Sequence, residues 1–145
     1  MSTFLLCKVI TYLFLLFFLW YNYIGDSMDV KILTDNKIDV NHGIELLGDI
    51  DFYNETLGTF YDGIEENLKK LEEFKNNDDF ENYGILSHSI KSDSKYLGFM
   101  DLAEIALSHE MAGKSSDKDF IDKNYDSFVE EINRIVKVVK EYLGR

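Results

Sequence analysis

The sequence predicts an all-α protein: an antiparallel four-helix bundle preceded by a short extra helix and a hydrophobic N-terminal segment. Three observations carry that expectation. The chain contains no proline, so no residue forces a helix to break. Beyond residue 50 the apolar residues recur at steps of three and four, the mark of helices with one buried face. Short polar runs separate these stretches, and four one-faced helices so joined must cover one another.

The first element lies apart from the bundle. Residues 9–24 (VITYLFLLFFLWYNYI) form an uncharged, mostly apolar run between Lys8 and Asp26. It is short against the roughly 20 residues of a membrane span, although Trp20, Tyr21 and Tyr23 suit an interfacial aromatic belt. Lys8 before it and Asp26 and Asp29 after it give a weak bias that places the rest of the chain outside. Two readings of residues 1–28 stay open: a membrane anchor, or a misassigned start with translation beginning at Met28. Residues 29–41 read as a polar connector, and residues 42–145 as the bundle domain.

Within that domain, Gly43 to Leu47 reads as the short extra helix covering one end. Tyr53, Leu57, Phe60, Ile64, Leu68 and Leu71 mark a long amphipathic helix. Asn76-Asn77-Asp78-Asp79 ends it, with Asn77 or Asp78 as the expected cap of the next. The second bundle helix runs to Leu97, where Gly98 is its stop. The third carries Leu102, Ile105, Ala106, His109 and Ala112 and ends at Gly113. Ser116 or Asp117 caps the fourth, whose Ile121, Tyr125, Phe128, Ile132, Ile135, Val139 and Tyr142 alternate by four and three.

Composition excludes several functions. Fifteen basic against 27 acidic residues give a net charge of −12, and Lys8 and Asp26 cancel, so the part after residue 28 carries it all. Such a surface repels nucleic-acid backbones. The single cysteine, Cys7, excludes an internal disulfide framework. Histidines 42, 88 and 109 lack metal-ligand spacing, so no metal site is expected. Without a glycine-rich phosphate loop or nucleophile elbow, no ATP-driven or hydrolytic activity is expected either.

The second bundle helix has two unlike faces. Tyr83, Ser87, Ile90, Ser94 and Leu97 line one; His88, Lys91, Ser92 and Lys95 line another, with Gly84 one turn before the histidine. An imidazole thus stands among small residues and ammonium groups, without large apolar side chains on its face. A neutral imidazole has one nitrogen free as a nucleophile.

The order His88, Lys91 three residues on and Gly98 ten residues on resembles the histidine phosphotransfer (HPt) domain of two-component phosphorelays. Leu102, Ile105, His109-Glu110 and Ala112-Gly113 extend the likeness downstream, and Gly43 to Gly48 and Tyr53 to Phe60 extend it upstream. By motif it covers Ile38 to Gly113. One departure is Ser92, where the family commonly has glycine.

The resemblance implies that His88 accepts a phosphoryl group from a receiver-domain aspartate and relays it to another receiver. Lys91 and Lys95 would offset the phosphoryl charge. Gly84 and Ser92 would leave room for the partner. Glu110, 22 residues after the histidine, holds the family position whose side chain often bonds the imidazole, and Gly98 is structural. The implied partners are response-regulator receivers and hybrid sensor kinases. The chain would be a phosphocarrier without cofactor or ATP site, any magnesium being held by the receiver. It would work in the cytoplasm, free or anchored to the inner face of the membrane. The alternative is a silent module that binds receivers or kinases without carrying phosphate. His109, on the apolar stripe, reads as a core residue.

Overall fold

The computed structural model describes residues 9–17 and 28–145. Residues 9–17 are helical with exposed apolar side chains. Six helices follow: α1 (Val30–Asp35), α2 (Val40–Leu47), α3 (Ile50–Asn76), α4 (Phe80–Leu97), α5 (Met100–Lys114) and α6 (Lys118–Leu143). The described residues contain no strand.

The four long helices α3 to α6 form the expected bundle. Each packs on its sequence neighbours, and α3 closes the ring against α6. The turns between them, at 77–79, 98–99 and 115–117, are too short for anything but antiparallel neighbours. Every residue of the α6 stripe is buried except Tyr125, which is half-buried. Tyr53, Leu57, Ile64 and Leu71 of α3 meet this face in one continuous core.

Aspartates start most of the helices, because a carboxylate at the N-cap accepts an otherwise unpaired amide. Asp49 takes the amide of Phe52 at 2.8 Å, Asp79 that of Asn82 at 3.2 Å, and Asp117 that of Phe120 at 3.0 Å. The cap of α4 is therefore Asp79 rather than Asn77 or Asp78. Asp78 instead takes a left-handed turn conformation (φ 53°), as Ser116 does before α6. Gly98 ends α4 at φ 79°, and a Cβ there would fall on the carbonyl of Asp39. Glycine is thus required twice over, by conformation and by space.

The connector is the main correction to the expected architecture. Residues 29–41 include all of α1 and bury Leu33, Ile38 and Val40 against the bundle. These apolar residues are too few to make a stripe, yet they cover one end of the bundle, α1 packing on α6 and α2 on α3 and α4. Arg134 Nη1 of α6 donates to the carbonyl of Asn36 at 3.2 Å, and Asp39 N donates to the carbonyl of Gly98 at 3.0 Å. The extra helix accordingly starts at Val40, earlier than Gly43.

Among the described residues no helix is long and apolar enough to cross a membrane. The membrane-span reading of residues 9–24 falls in part on residues 18–24, which lie outside the described residues.

Candidate functional site

The α4–α5 hairpin is drawn together by a pair of glycines. A Cβ on Gly113 would come 2.6 Å from the Cα of Gly84, so only glycine lets the backbones approach this closely. Gly84 was expected to face a partner; instead it is buried against α5, because the close crossing occupies the space beside it. That crossing sets the register of the site. One turn beyond Gly84 on α4 stands His88, and one turn before Gly113 on α5 stands Glu110.

Glu110 is a buried carboxylate whose side chain is only 3 % exposed. A charge so placed must be paired and hydrogen-bonded. Its Oε2 accepts from Lys91 Nζ at 2.6 Å, and its Oε1 accepts from Lys114 Nζ at 2.5 Å. His88 Nδ1 lies 3.0 Å from the same Oε1. Hydrogen bonds from Lys114 and Lys91 outweigh desolvation and hold the carboxyl well below its usual range, down to about 2. Glu110 is therefore ionised and can only accept.

That fixes the tautomer of the neutral ring. A hydrogen bond to an acceptor-only oxygen requires the proton on Nδ1. Lys91 Nζ also lies 3.2 Å from Nδ1, but an N–H cannot receive a second proton, so this is a contact rather than a second bond. Nε2 then carries the lone pair. The His88 side chain is 58 % exposed, and among the described residues Nε2 has no hydrogen-bond partner in the protein.

The other residues singled out from sequence sit at different depths. Lys91 is largely covered, its side chain 14 % exposed. Ser92 is half-buried and donates to the carbonyl of His88 at 3.0 Å. Lys95 is exposed, and no hydrogen bond or ion pair joins it to His88 or Glu110. Gly98 lies at the helix end, ten residues past the histidine.

Two residues escaped the sequence reading. Lys114 falls one residue past the helix end expected at Gly113, yet it is the last residue of α5 and lies four residues after Glu110, the spacing at which helical side chains meet. Ile85 is 62 % exposed beside His88, a large apolar side chain on a face expected to have none. A cleft of about 500 Å³ runs along this side, lined by Glu81, Gly84, Ile85, His88, Glu110 and Lys114 among others.

His109, next to Glu110 in sequence, turns the other way. It is 1 % exposed, stacks on Phe128 with ring centroids 4.4 Å apart, and pairs its Nδ1 with the hydroxyl of Tyr83 at 2.7 Å. Burial lowers its pKa from 6.5 to about 4. It remains neutral in the core at physiological pH.

Comparison with known proteins bears on the site as a whole. The family model of the Hpt domain matches residues 55–141, which include every helix that shapes the hairpin and both residues of the His88–Glu110 pair. No curated protein and no solved structure gives a significant match.

Proposed function

The chain belongs to the Hpt domain family, phosphocarrier modules of histidine phosphotransfer in phosphorelays, and on that premise we propose that His88 is its phosphoacceptor. His88 takes a phosphoryl group from the aspartate of one receiver domain and gives it to another. The observation that carries this reading is the 3.0 Å contact between Glu110 Oε1 and His88 Nδ1, which leaves Nε2 exposed with its lone pair.

The step balances without moving a proton. The Nε2 lone pair forms the N–P bond as the P–O bond to the receiver's aspartate breaks, and the electron pair of that bond leaves on the carboxylate. The ring becomes an imidazolium that keeps its Nδ1 proton, and ionised Glu110 offsets the new positive charge. Return transfer reverses each change. Any divalent ion comes with the receiver. Ile85 and Ser92, on either side of the histidine, form the ground on which the receiver docks. Residues 29–145, the bundle with the segment that covers its end, carry this function; the apolar N-terminal segment bears only on location, which must be the cytoplasm, where receivers are.

Incubation of the full chain with a phosphorylated receiver tests the reading. Wild-type protein is expected to gain acid-labile phosphate, and His88→Gln none. Label on His88→Gln would overturn it, as would wild-type protein that binds the receiver and never acquires phosphate.

A further inference from the structure

We propose that Lys114, rather than Lys91, is the cation that meets the phosphoryl group on His88, leaving Glu110 to reach the phosphoryl oxygens. This rests on the phosphocarrier reading and deepens it by assigning the counter-charge to a residue outside the recognised motif.

The argument begins with how Glu110 shares its oxygens. Three donors meet two of them: Lys91 alone on Oε2, and Lys114 together with His88 Nδ1 on Oε1. If Lys91 left, Oε2 would be buried without a partner, which is costly. If Lys114 leaves, Oε1 keeps the imidazole N–H and Oε2 keeps Lys91, so the carboxylate stays satisfied. Burial points the same way. The Lys114 side chain is 62 % exposed and that of Lys91 only 14 %. Lys114 therefore gives up little packing when it moves.

Position and charge agree with this. Lys114 and His88 Nδ1 bond the same oxygen, and both residues line the cleft, whereas Lys91 does not. Before transfer, the two lysines and Glu110 leave one positive charge in excess. Phosphorylation adds roughly two negative charges to the histidine and makes the ring an imidazolium. The sum is then neutral, but only with Lys114 counted. Glu81, two turns before His88 on α4, is the one other charged group lining the cleft, and its negative charge favours an ammonium there.

The test labels the full chain with potassium phosphoramidate, a small donor that needs no docking surface, and follows the phosphohistidine by ³¹P NMR as pH varies. A nearby ammonium favours the more charged phosphoryl form. Lys114→Gln should therefore raise the phosphoryl titration by about half a unit to one unit. Lys114→Arg should restore it, and the remote Lys137→Gln should leave it unchanged. An unshifted Lys114→Gln titration with His88 labelled would overturn this proposal and leave the phosphocarrier reading intact. A shift equally large in Lys137→Gln would overturn it too, by showing an effect of net charge. Wild-type protein with no phosphate on His88 would overturn both.

Discussion

The α4–α5 hairpin holds two histidines in opposite circumstances. His88 is mostly exposed and bonds a buried carboxylate; His109 is enclosed by aromatic rings and bonds a phenol. The same imidazole becomes in one place an exposed ring with a defined tautomer and in the other a neutral core side chain. The backbones barely differ: both residues lie within regular helices. What separates them is the chemistry of their neighbours. Glu110 and His109 are adjacent in sequence and, about 100° apart around α5, meet different neighbours: Glu110 meets His88 and two lysines, His109 the aromatic core.

The largest expected effect sharpens the core side of the contrast. His109 titrates near 4 when folded and near 6.5 when unfolded. Between those values the unfolded chain binds a proton that the folded chain refuses, so stability falls as pH drops from 6.5 to 4 and levels off below. The loss is on the order of 3 kcal/mol. His109→Phe should remove this slope, at the neutral-pH cost of leaving the Tyr83 hydroxyl without its hydrogen-bond partner. Urea midpoints of both proteins across pH 4 to 7 measure the difference.

Glu110→Gln probes the surface side. An amide gives up the charge that offsets the imidazolium and no longer dictates the tautomer. A hydrogen bond to a charged group contributes about 1.5–3 kcal/mol, so phosphotransfer should slow by about 10-fold to 100-fold in a rapid-quench assay. The same variant has a stability signature. The folded pKa of Glu110 is depressed to about 2, so its contribution is present above about 4.5 and is lost as pH falls toward 2. Acid unfolding of Glu110→Gln should lack that component.

Ser92→Trp comes next and separates docking from chemistry. It should lower transfer from receivers strongly while leaving phosphoramidate labelling of His88 within about twofold, and thermal unfolding should change little because Ser92 is half-buried at the surface. The smallest effect belongs to Lys95→Gln. An exposed lysine two turns from the histidine, with no bond to the site, should alter labelling by less than about twofold.

The bundle was legible in the sequence because long stripes on α3 and α6 have no other use. The α4 face of Tyr83, Ser87, Ile90, Ser94 and Leu97 was legible too, and all five are buried. The connector was not. Leu33, Ile38 and Val40 are separated by polar residues, and only the open end of the bundle gives them something to cover. Gly84 was misjudged for a related reason: a small residue beside a site reads as open space, unless one knows that Gly113 fills it. Lys114 had a usable signal in its distance of four residues from Glu110. It was missed because the helix appeared to stop one residue earlier.

The central claim is that Nε2 of His88 carries the phosphoryl group while Glu110 holds the proton on Nδ1. Nitrogen–phosphorus correlation NMR on ¹⁵N-histidine-labelled, phosphorylated protein tests it most directly. The account expects phosphorus coupled to Nε2 of His88, with Nδ1 protonated and its signal altered in Glu110→Gln. Coupling to Nδ1, or phosphorus on His42 or His109, would contradict it.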